Sequence, residues 1–184
     1  FNSNVAASVP TRKFIKLKMK EFENHYFIGQ VVNELRSIYL GAPYEYKIEY
    51  NFRNVTDKIY QDGRLRFFCN VPKWMEFLND SDLTFGSRLH GNIAAVLAGT
   101  PALLVTKDSR TRELAEYHHL NAIHESKLNE KLTLQDLVEQ QDFTQIEKYQ
   151  KQNLDRYVAF LKKNDIPNIF MDGEDPQETA FDRK

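Results

Sequence analysis

The stretch LTFGSRLHGNIAAVLAGTPALLV, residues 83–105, decides the fold of this 184-residue chain. Leu83 to Phe85 is typical of a short strand that enters a tight turn, and Ile93 to Ala98 is typical of an apolar helix that a Gly and a Pro then end. Ala102 to Val105 is a second apolar strand. Strand, turn, helix and strand within about 25 residues predict a βαβ unit, in which the two strands are parallel neighbours.

The same alternation of helices and strands is expected in the residues that precede this βαβ unit. Apolar residues at three- and four-residue spacing predict a helix over Glu21–Leu40, and Tyr44 to Tyr50 alternates with polar residues as a half-buried strand does. Arg66 to Cys69 is a further strand candidate. Asn70 is a predicted N-cap for the helix that follows it.

The alternation continues after the unit. A helix is predicted over Thr111–His118 and a short strand at Ala122-Ile123. Thr133 predicts a capped helix, and Ile146–Leu161 predicts a long one. The fold class is therefore α/β, with a Rossmann-like parallel sheet flanked by helices over residues 1–170 and a polar, disordered tail over residues 171–184.

Composition excludes several classes of protein. The 25 basic residues are matched by 26 acidic ones, so the basic excess of a nucleic-acid-binding protein is missing. Cys69 is the only cysteine, which excludes an intrachain disulfide and a cysteine-based zinc site and fits a reducing cytoplasm. No apolar run reaches the roughly 20 residues of a membrane span. Because the first residue is Phe1 rather than Met, we expect a piece of a longer protein.

The turn from Ser87 to Asn92 is a candidate anion-binding site. In open α/β sheets, ligands bind beyond the carboxyl ends of strands, where the next helix presents its backbone N–H groups. Arg88 adds a planar fork of donors suited to carboxylate or phosphate, and Gly91 lets a ligand approach the backbone. We therefore predict that Ser87, Arg88, Gly91 and Asn92 bind the substrate.

His90 is the predicted catalytic residue. An unperturbed imidazole has a pKa of about 6.5 and can carry a transferable proton near neutral pH. The alternative is a structural His that caps the helix or bonds a neighbouring carbonyl. The Arg and Gly on either side of His90, at a strand-to-helix turn, favour the catalytic interpretation.

A second loop is expected at the same edge of the sheet. Lys107 to Leu114 follows the second strand, and Arg110 stands at the start of the next helix. Arg110 is therefore predicted to contact the substrate together with the first loop. The alternative is an exposed ion pair, which would contribute about 0–1 kcal/mol.

The remaining motifs are weaker indications of function. His118, His119 and His124 do not have convincing metal-ligand spacing, so no metal is predicted. The sequence contains no G-x-S-x-G, no P-loop and no G-x-G-x-x-G. The aromatic residues from Tyr44 to Phe52 are more typical of a sheet face than of a base-stacking surface.

The run from Asn79 to Gly91, followed by Ala94-Ala95, Gly99-Thr100-Pro101 and Asp108-Ser109-Arg110, resembles the signature of polysaccharide pyruvyl transferases. The resemblance is clear over about a third of the chain, from Phe67 to Leu120.

The resemblance implies the C-terminal, donor-binding half of a two-domain fold similar to GT-B glycosyltransferases. The donor would be phosphoenolpyruvate, with no other cofactor, and the acceptor would be a saccharide or a lipid-linked glycan precursor. By position His90 matches the family's catalytic histidine, Arg88 belongs to the same motif, and Arg110 holds the donor-binding basic position, which is Lys in some relatives. The N-terminal domain would be missing. The expected location is the cytoplasm, at the inner face of the membrane for a lipid-linked acceptor.

Two alternatives stay open. A nucleotide-sugar glycosyltransferase of the same architecture would use the helix end for a diphosphate, and Glu113 could bind the ribose. A non-catalytic glycan-assembly module would keep the fold without turnover. The intact His90 and Arg88 argue against the second alternative.

Overall fold

The computed structural model describes residues 1–3, 6–44 and 52–168 and alternates helices with short strands. The helices and strands are, in chain order, α1 (Val9–Met19), β1 (Phe27–Gly29), α2 (Val32–Leu40), α3 (Lys58–Gln61), β2 (Leu65–Phe67), α4 (Val71–Asn79), β3 (Thr84–Gly86), α5 (Leu89–Leu97), β4 (Ala102–Thr106), α6 (Ser109–Tyr117), β5 (Ala122–His124), α7 (Leu134–Glu139) and α8 (Gln145–Lys163). A single 3₁₀ turn, Glu125–Lys127, follows β5.

The βαβ unit predicted from residues 83–105 is confirmed. β3 pairs in parallel with β4, with Phe85 opposite Leu103, and β4 pairs in parallel with β5, with Val105 opposite Ile123. α5 connects β3 to β4 and ends at Leu97. Gly99, two residues later, has a φ of 76°, in the left-handed region that favours glycine.

The first three residues, here called the N-terminal segment, join this sheet to the pair formed by β1 and β2. Asn2 bridges Gly86 in parallel, and the Asn2 N–H donates to the Phe85 carbonyl at 3.1 Å. On the other side, the Ile28 N–H donates to the Phe1 carbonyl at 2.9 Å. The spatial order is therefore β2, β1, the N-terminal segment, β3, β4, β5. This is the strand order of doubly wound dinucleotide-binding folds.

The two faces of the sheet are both covered. Leu103 and Val105 of β4 pack with Phe14 and Ile15 of α1, whereas Leu104 packs on the opposite face with α5 and α6. Successive strand residues point to opposite faces, so an apolar run of this kind belongs to a strand that is buried on both sides. All five residues of β4 are buried. The Rossmann-like fold expected from the sequence is confirmed.

The two helix caps predicted from the sequence, at Asn70 and Thr133, are also confirmed. The Asn70 side chain accepts a hydrogen bond from the Lys73 N–H at 3.0 Å, as an N-cap should. Thr133 and Asp136 form a reciprocal capping box at the start of α7.

One predicted helix was wrong. The range Glu21–Leu40 contains β1 and only the shorter helix α2, and α1 was missed altogether. All three residues of β1 are buried, and an apolar run this short does not distinguish a buried strand from a helix face. The signal for α1 was present, because Ser8 caps it and Pro10 stands in its first turn.

Two predictions lie outside the described residues: the strand that begins at Tyr44, of which residues 45–51 are not described, and the tail over residues 171–184. Tyr44 itself is buried and packs against Phe52 with ring centroids 5.4 Å apart. Of the helices that the structure describes, none is long and apolar enough to cross a membrane.

Candidate active site

The candidate site lies where the direction of winding reverses. From the N-terminal segment the chain continues to β1 on one side, and β3 on the other side leads to β4 and β5. In doubly wound sheets, ligands bind at this reversal, beyond the carboxyl ends of the two central strands. Here those ends are Ser3 and the turn that begins at Ser87.

Arg88, which follows β3, forms hydrogen bonds to the neighbouring N-terminal segment. Its backbone N–H donates to the Asn2 side-chain oxygen at 2.8 Å, and its Nε donates to the Ser3 carbonyl at 2.7 Å. Its terminal nitrogen donates to Glu34 Oε1 at 2.7 Å. The Arg88 side chain is only 10% exposed, so the guanidinium is held by the protein itself.

The partner, Glu34, is fully buried in the first turn of α2. Its second carboxylate oxygen accepts the backbone N–H groups of Gln30 and Val31, which follow β1. A buried ion pair is stable only when its remaining hydrogen-bonding positions are filled, and this pair meets that condition for the carboxylate. Arg88 and Glu34 therefore fix the ends of β1, the N-terminal segment and β3 relative to one another.

Gly86 allows this close approach. A Cβ at position 86 would lie 1.9 Å from the Asn2 carbonyl oxygen. Only a residue without a side chain can sit here while the N-terminal segment pairs with β3, so the Gly-Ser turn is dictated by backbone packing.

Gly91 and Asn92 are buried in the same turn. A Cβ at Gly91 would lie 2.5 Å from the side-chain nitrogen of Gln30 and 3.3 Å from that of Asn2, so the space beside Gly91 is filled by protein. The Asn92 side chain donates to the Gly86 carbonyl at 3.2 Å and to the Arg88 carbonyl at 2.9 Å. Both residues shape the turn in this structure, and their contact with a substrate stays a prediction.

His90 is exposed on the first turn of α5, directly beyond the carboxyl end of β3. The N-cap residue of α5 is Arg88, and no side chain caps the helix. An uncapped first turn presents backbone N–H groups and the positive end of the helix dipole, which attract an anion. His90 thus stands beside groups that can hold a negatively charged ligand.

Ser87 and Arg110 are brought together. Both line a small cavity of about 40 Å³ at the ends of β3, β4 and β5. The remaining lining residues come from these strand ends and from the starts of α1 and α6: Ala7, Thr11, Val105, Lys107, Asp108, Thr111 and Glu125. Neither Arg88 nor His90 lines this cavity. The two predicted loops therefore share an edge of the sheet, and Arg110 is exposed there.

Two carboxylates of this cavity have lowered pKa values. Burial alone would raise the pKa of Glu125, but hydrogen bonds from the Thr11 and Ser8 hydroxyls, at 2.6 and 2.8 Å, together with the charge of Lys107, hold it below its usual value. The amide and hydroxyl of Thr111 lower the pKa of Asp108, which caps α6. Both groups are therefore charged at neutral pH.

The sequence did not indicate Asn2, Glu34 or Glu125. Glu34 could have been suspected only from its place three residues after Val31, which is the spacing of a carboxylate that bonds a helix start. Asn2 and Glu125 are brought to the site by strand order. No group of three or more His, Cys, Asp or Glu that could hold a metal occurs in residues 1–3, 6–44 and 52–168.

The fold and this site define an α/β protein with a doubly wound parallel sheet and an uncapped strand-to-helix turn at its centre. The family model for polysaccharide pyruvyl transferase matches residues 11–109, which is more than half of the chain. The chain therefore belongs to the polysaccharide pyruvyl transferase family. The match includes the turn from Ser87 to Asn92 and ends one residue before Arg110. No curated protein and no solved structure matches the chain.

Proposed function

We propose that this chain is the donor-binding part of a pyruvyl transferase that uses phosphoenolpyruvate. The enolpyruvyl carbons would be transferred to hydroxyls of a cell-envelope or exopolysaccharide glycan, or of its lipid-linked precursor, with release of phosphate. The observation that carries the proposal is the position of His90 in the uncapped first turn of α5, at the carboxyl end of β3, within a chain of this family.

The donor would bind above the strand ends. A cavity of about 40 Å³ has room for about one water-sized group, so phosphoenolpyruvate as a whole cannot enter it. The exposed Arg110 and the first-turn amides of α5 would hold the donor's phosphate and carboxylate at the mouth of this cavity. Ser87 lines the cavity and would donate a hydrogen bond from its hydroxyl.

His90 would act as the general acid. Its imidazolium would donate a proton to the methylene carbon of phosphoenolpyruvate, which leaves a positive charge at C2. An acceptor hydroxyl would attack C2 and lose its proton, which gives a tetrahedral C2 that still carries the phosphate. The C2–O bond to phosphate would then break and release phosphate, and a second hydroxyl would attack C2, lose its proton and complete the ketal. Proton transfer of this type contributes about 10² to 10⁴-fold to a rate. Arginine and helix amides can neutralise the leaving phosphate, so this scheme uses no metal and no cofactor.

The proposed partners follow from the same scheme. They are phosphoenolpyruvate, a saccharide or lipid-linked acceptor, and an N-terminal domain that would supply most of the acceptor surface. The enzyme would work in the cytoplasm, at the inner face of the membrane when the acceptor is lipid-linked.

Replacement of His90 tests the proposal. In the full-length protein, His90→Ala should lower kcat for phosphate release by about 10² to 10⁴-fold, because the acid acts in the transition state. Affinity for phosphoenolpyruvate, measured by calorimetry, should change less than about twofold, a difference below 0.5 kcal/mol. His118→Ala, which removes another exposed His from the end of α6, is the control and should leave both values unchanged.

Two results would contradict the proposal. Near-normal turnover of His90→Ala would make His90 a structural residue and remove the general acid. Binding of a nucleotide sugar in place of phosphoenolpyruvate would indicate a glycosyltransferase with the same architecture.

A further inference from the structure

The exposed ring of His90 depends for its position on the backbone that carries it. His90 is the second residue of α5, and its side chain is exposed to solvent. A general acid must lie within hydrogen-bond reach of the atom that receives the proton, and a displacement of about 1 Å can cost about 10²-fold in rate. The residues that fix the first turn of α5 therefore affect the proposed proton transfer.

The first turn of α5 has no side-chain cap of its own. Its N-cap residue is Arg88, whose side chain instead bonds Ser3 and Glu34. Such a helix start is not fixed by local hydrogen bonds, because its first N–H groups have no partner within the helix. The turn is held instead by Asn2, which lies 86 positions earlier in the sequence.

Asn2 forms three hydrogen bonds along the path from β3 to α5. Its N–H donates to the Phe85 carbonyl at 3.1 Å, and its carbonyl accepts the Ser87 N–H at 3.3 Å. Its side-chain oxygen accepts the Arg88 N–H at 2.8 Å. These bonds connect the N-terminal segment to the end of β3, to the turn and to the N-cap of α5.

The side-chain nitrogen of Asn2 lies beside the residue that follows His90. A Cβ at Gly91 would lie 3.3 Å from Asn2 Nδ2, so the Asn2 amide fills space next to Gly91. Asn2 is only 2% exposed, and close packing of this kind leaves a side chain little room to move. The contacts of Asn2 therefore lie on both sides of His90, at Arg88 and at Gly91.

The second asparagine of the turn, Asn92, has a different effect. It donates to the Gly86 and Arg88 carbonyls, but it belongs to α5 and moves with His90, so it fixes the shape of the turn alone. Asn2 belongs to the N-terminal segment, which is also bound to β1. The Arg88 side chain reaches this segment through several rotatable bonds, whereas Asn2 bonds the Arg88 backbone directly. Asn2 thus fixes the start of α5 relative to the sheet.

We propose that Asn2 is a positioning residue for His90. It holds the first turn of α5 at the end of β3, so that the imidazole meets the methylene carbon of phosphoenolpyruvate. This inference rests on the proposed function, because it assigns Asn2 a part in the proton transfer from His90. Asparagine suits this position, since its oxygen accepts the N–H without placing a charge at a buried site beside an anionic donor.

A double-mutant cycle in the full-length protein tests this inference, with phosphate release measured at saturating phosphoenolpyruvate. Asn2→Ala should lower kcat about 10- to 100-fold, because the turn is no longer held at the Arg88 N–H. In the His90→Ala background the same change should lower kcat less than about twofold, because no acid is left to position. A role independent of His90 would give the same factor in both backgrounds.

Two further variants complete the experiment. Asn70→Ala is the matched control, because Asn70 also accepts a backbone N–H at a helix start, that of Lys73 at 3.0 Å. It should leave kcat unchanged. Asn2→Asp keeps an acceptor for the Arg88 N–H, so its kcat should stay within about threefold of the unaltered protein. Urea denaturation verifies that each variant is folded under the assay conditions.

The inference is overturned if folded Asn2→Ala keeps its kcat, or if it lowers kcat by the same factor with and without His90. It is also overturned if Asn2→Asp loses more than about tenfold in kcat, a result that remains informative when Asn2→Ala does not fold. Normal turnover of His90→Ala would instead overturn the proposed function, so the two failures are distinguishable.

Discussion

The two strand-to-helix turns of the site look alike in sequence and differ in structure. Each follows a buried parallel strand, and each places an arginine at the start of the next helix. In the β3–α5 turn the Arg88 side chain is 10% exposed and paired with Glu34. In the β4–α6 turn Arg110 is exposed, and Asp108 caps the helix.

This difference shows that the position of a turn in the sheet decides whether its arginine is buried and paired or exposed to solvent. β3 lies beside the N-terminal segment, so its turn is surrounded by the ends of three strands, and Arg88 meets Ser3 and Glu34 there. The β4–α6 turn lies farther from the centre, and Arg110 faces solvent at the mouth of a small cavity. Arg88 therefore holds the strand ends together, whereas the side chain of Arg110 is exposed, and its contact with a ligand stays a prediction.

Removal of Arg88 should give the largest effect on stability. Arg88→Ala leaves the fully buried Glu34 without its ion-pair partner, and breaking a buried pair in this way costs about 3–5 kcal/mol. Urea denaturation measures the loss. Arg110→Ala is the control within the comparison and should change the free energy of unfolding by less than about 0.5 kcal/mol.

The paired variant sharpens this test. Arg88→Met combined with Glu34→Leu removes both charges and should be more stable than Arg88→Ala alone, because no buried charge is left unpaired. If Arg88→Ala keeps its stability and loses affinity for phosphoenolpyruvate instead, then Arg88 acts on the donor, as the sequence predicted.

Removal of Arg110 should affect ligand binding alone. A charge-assisted contact contributes about 1.5–3 kcal/mol, so Arg110→Ala should weaken phosphoenolpyruvate binding by about 10 to 150-fold. Isothermal calorimetry measures the change. The control is Arg112→Ala, two residues further along the same helix and outside the small cavity. Equal affinities of the two variants would remove Arg110 from the donor site.

The smallest expected effect on stability comes from the loss of the Asp108 side chain, which caps α6. No side chain caps α5 in this way. Asp108→Ala should cost about 1 kcal/mol at pH 7, because the Thr111 N–H loses its acceptor. The pKa of Asp108 is lower in the folded chain than in the unfolded chain, where it is about 3.9. Its contribution is therefore present above about pH 4 and is lost as pH falls through the folded value.

Urea denaturation of Asp108→Ala and the unaltered chain at several pH values measures this contribution. The gap between them should close in acid. Asp80→Ala, which removes an exposed carboxylate from the C-terminal end of α4, is the control and should show no such gap. A gap that persists below the folded pKa would mean that Asp108 stabilises α6 in its neutral form.

Local patterns were sufficient for much of the fold. The apolar run of β4, the Gly-Pro stop after α5 and the caps at Asn70 and Thr133 each depend on residues a few positions apart, and all were predicted correctly. β1 was missed because three buried residues carry no period of their own. For the site, the βαβ pattern located only the strand ends at which His90 and Arg110 lie.

The sequence by itself determined the parallel βαβ core, its family signature and the edge of the sheet at which His90 and Arg110 lie, because those features follow from short-range periodicity and motif spacing. Only the tertiary structure decided that the N-terminal segment lies between β1 and β3, and that Arg88 pairs with Glu34 across 54 residues of sequence. The tertiary structure also decided that the side chains of Arg88 and Asn92 are enclosed in the turn from Ser87 to Asn92. Strand order and the pairing of Arg88 with Glu34 arise from contacts between distant parts of the chain, and no local pattern encodes them.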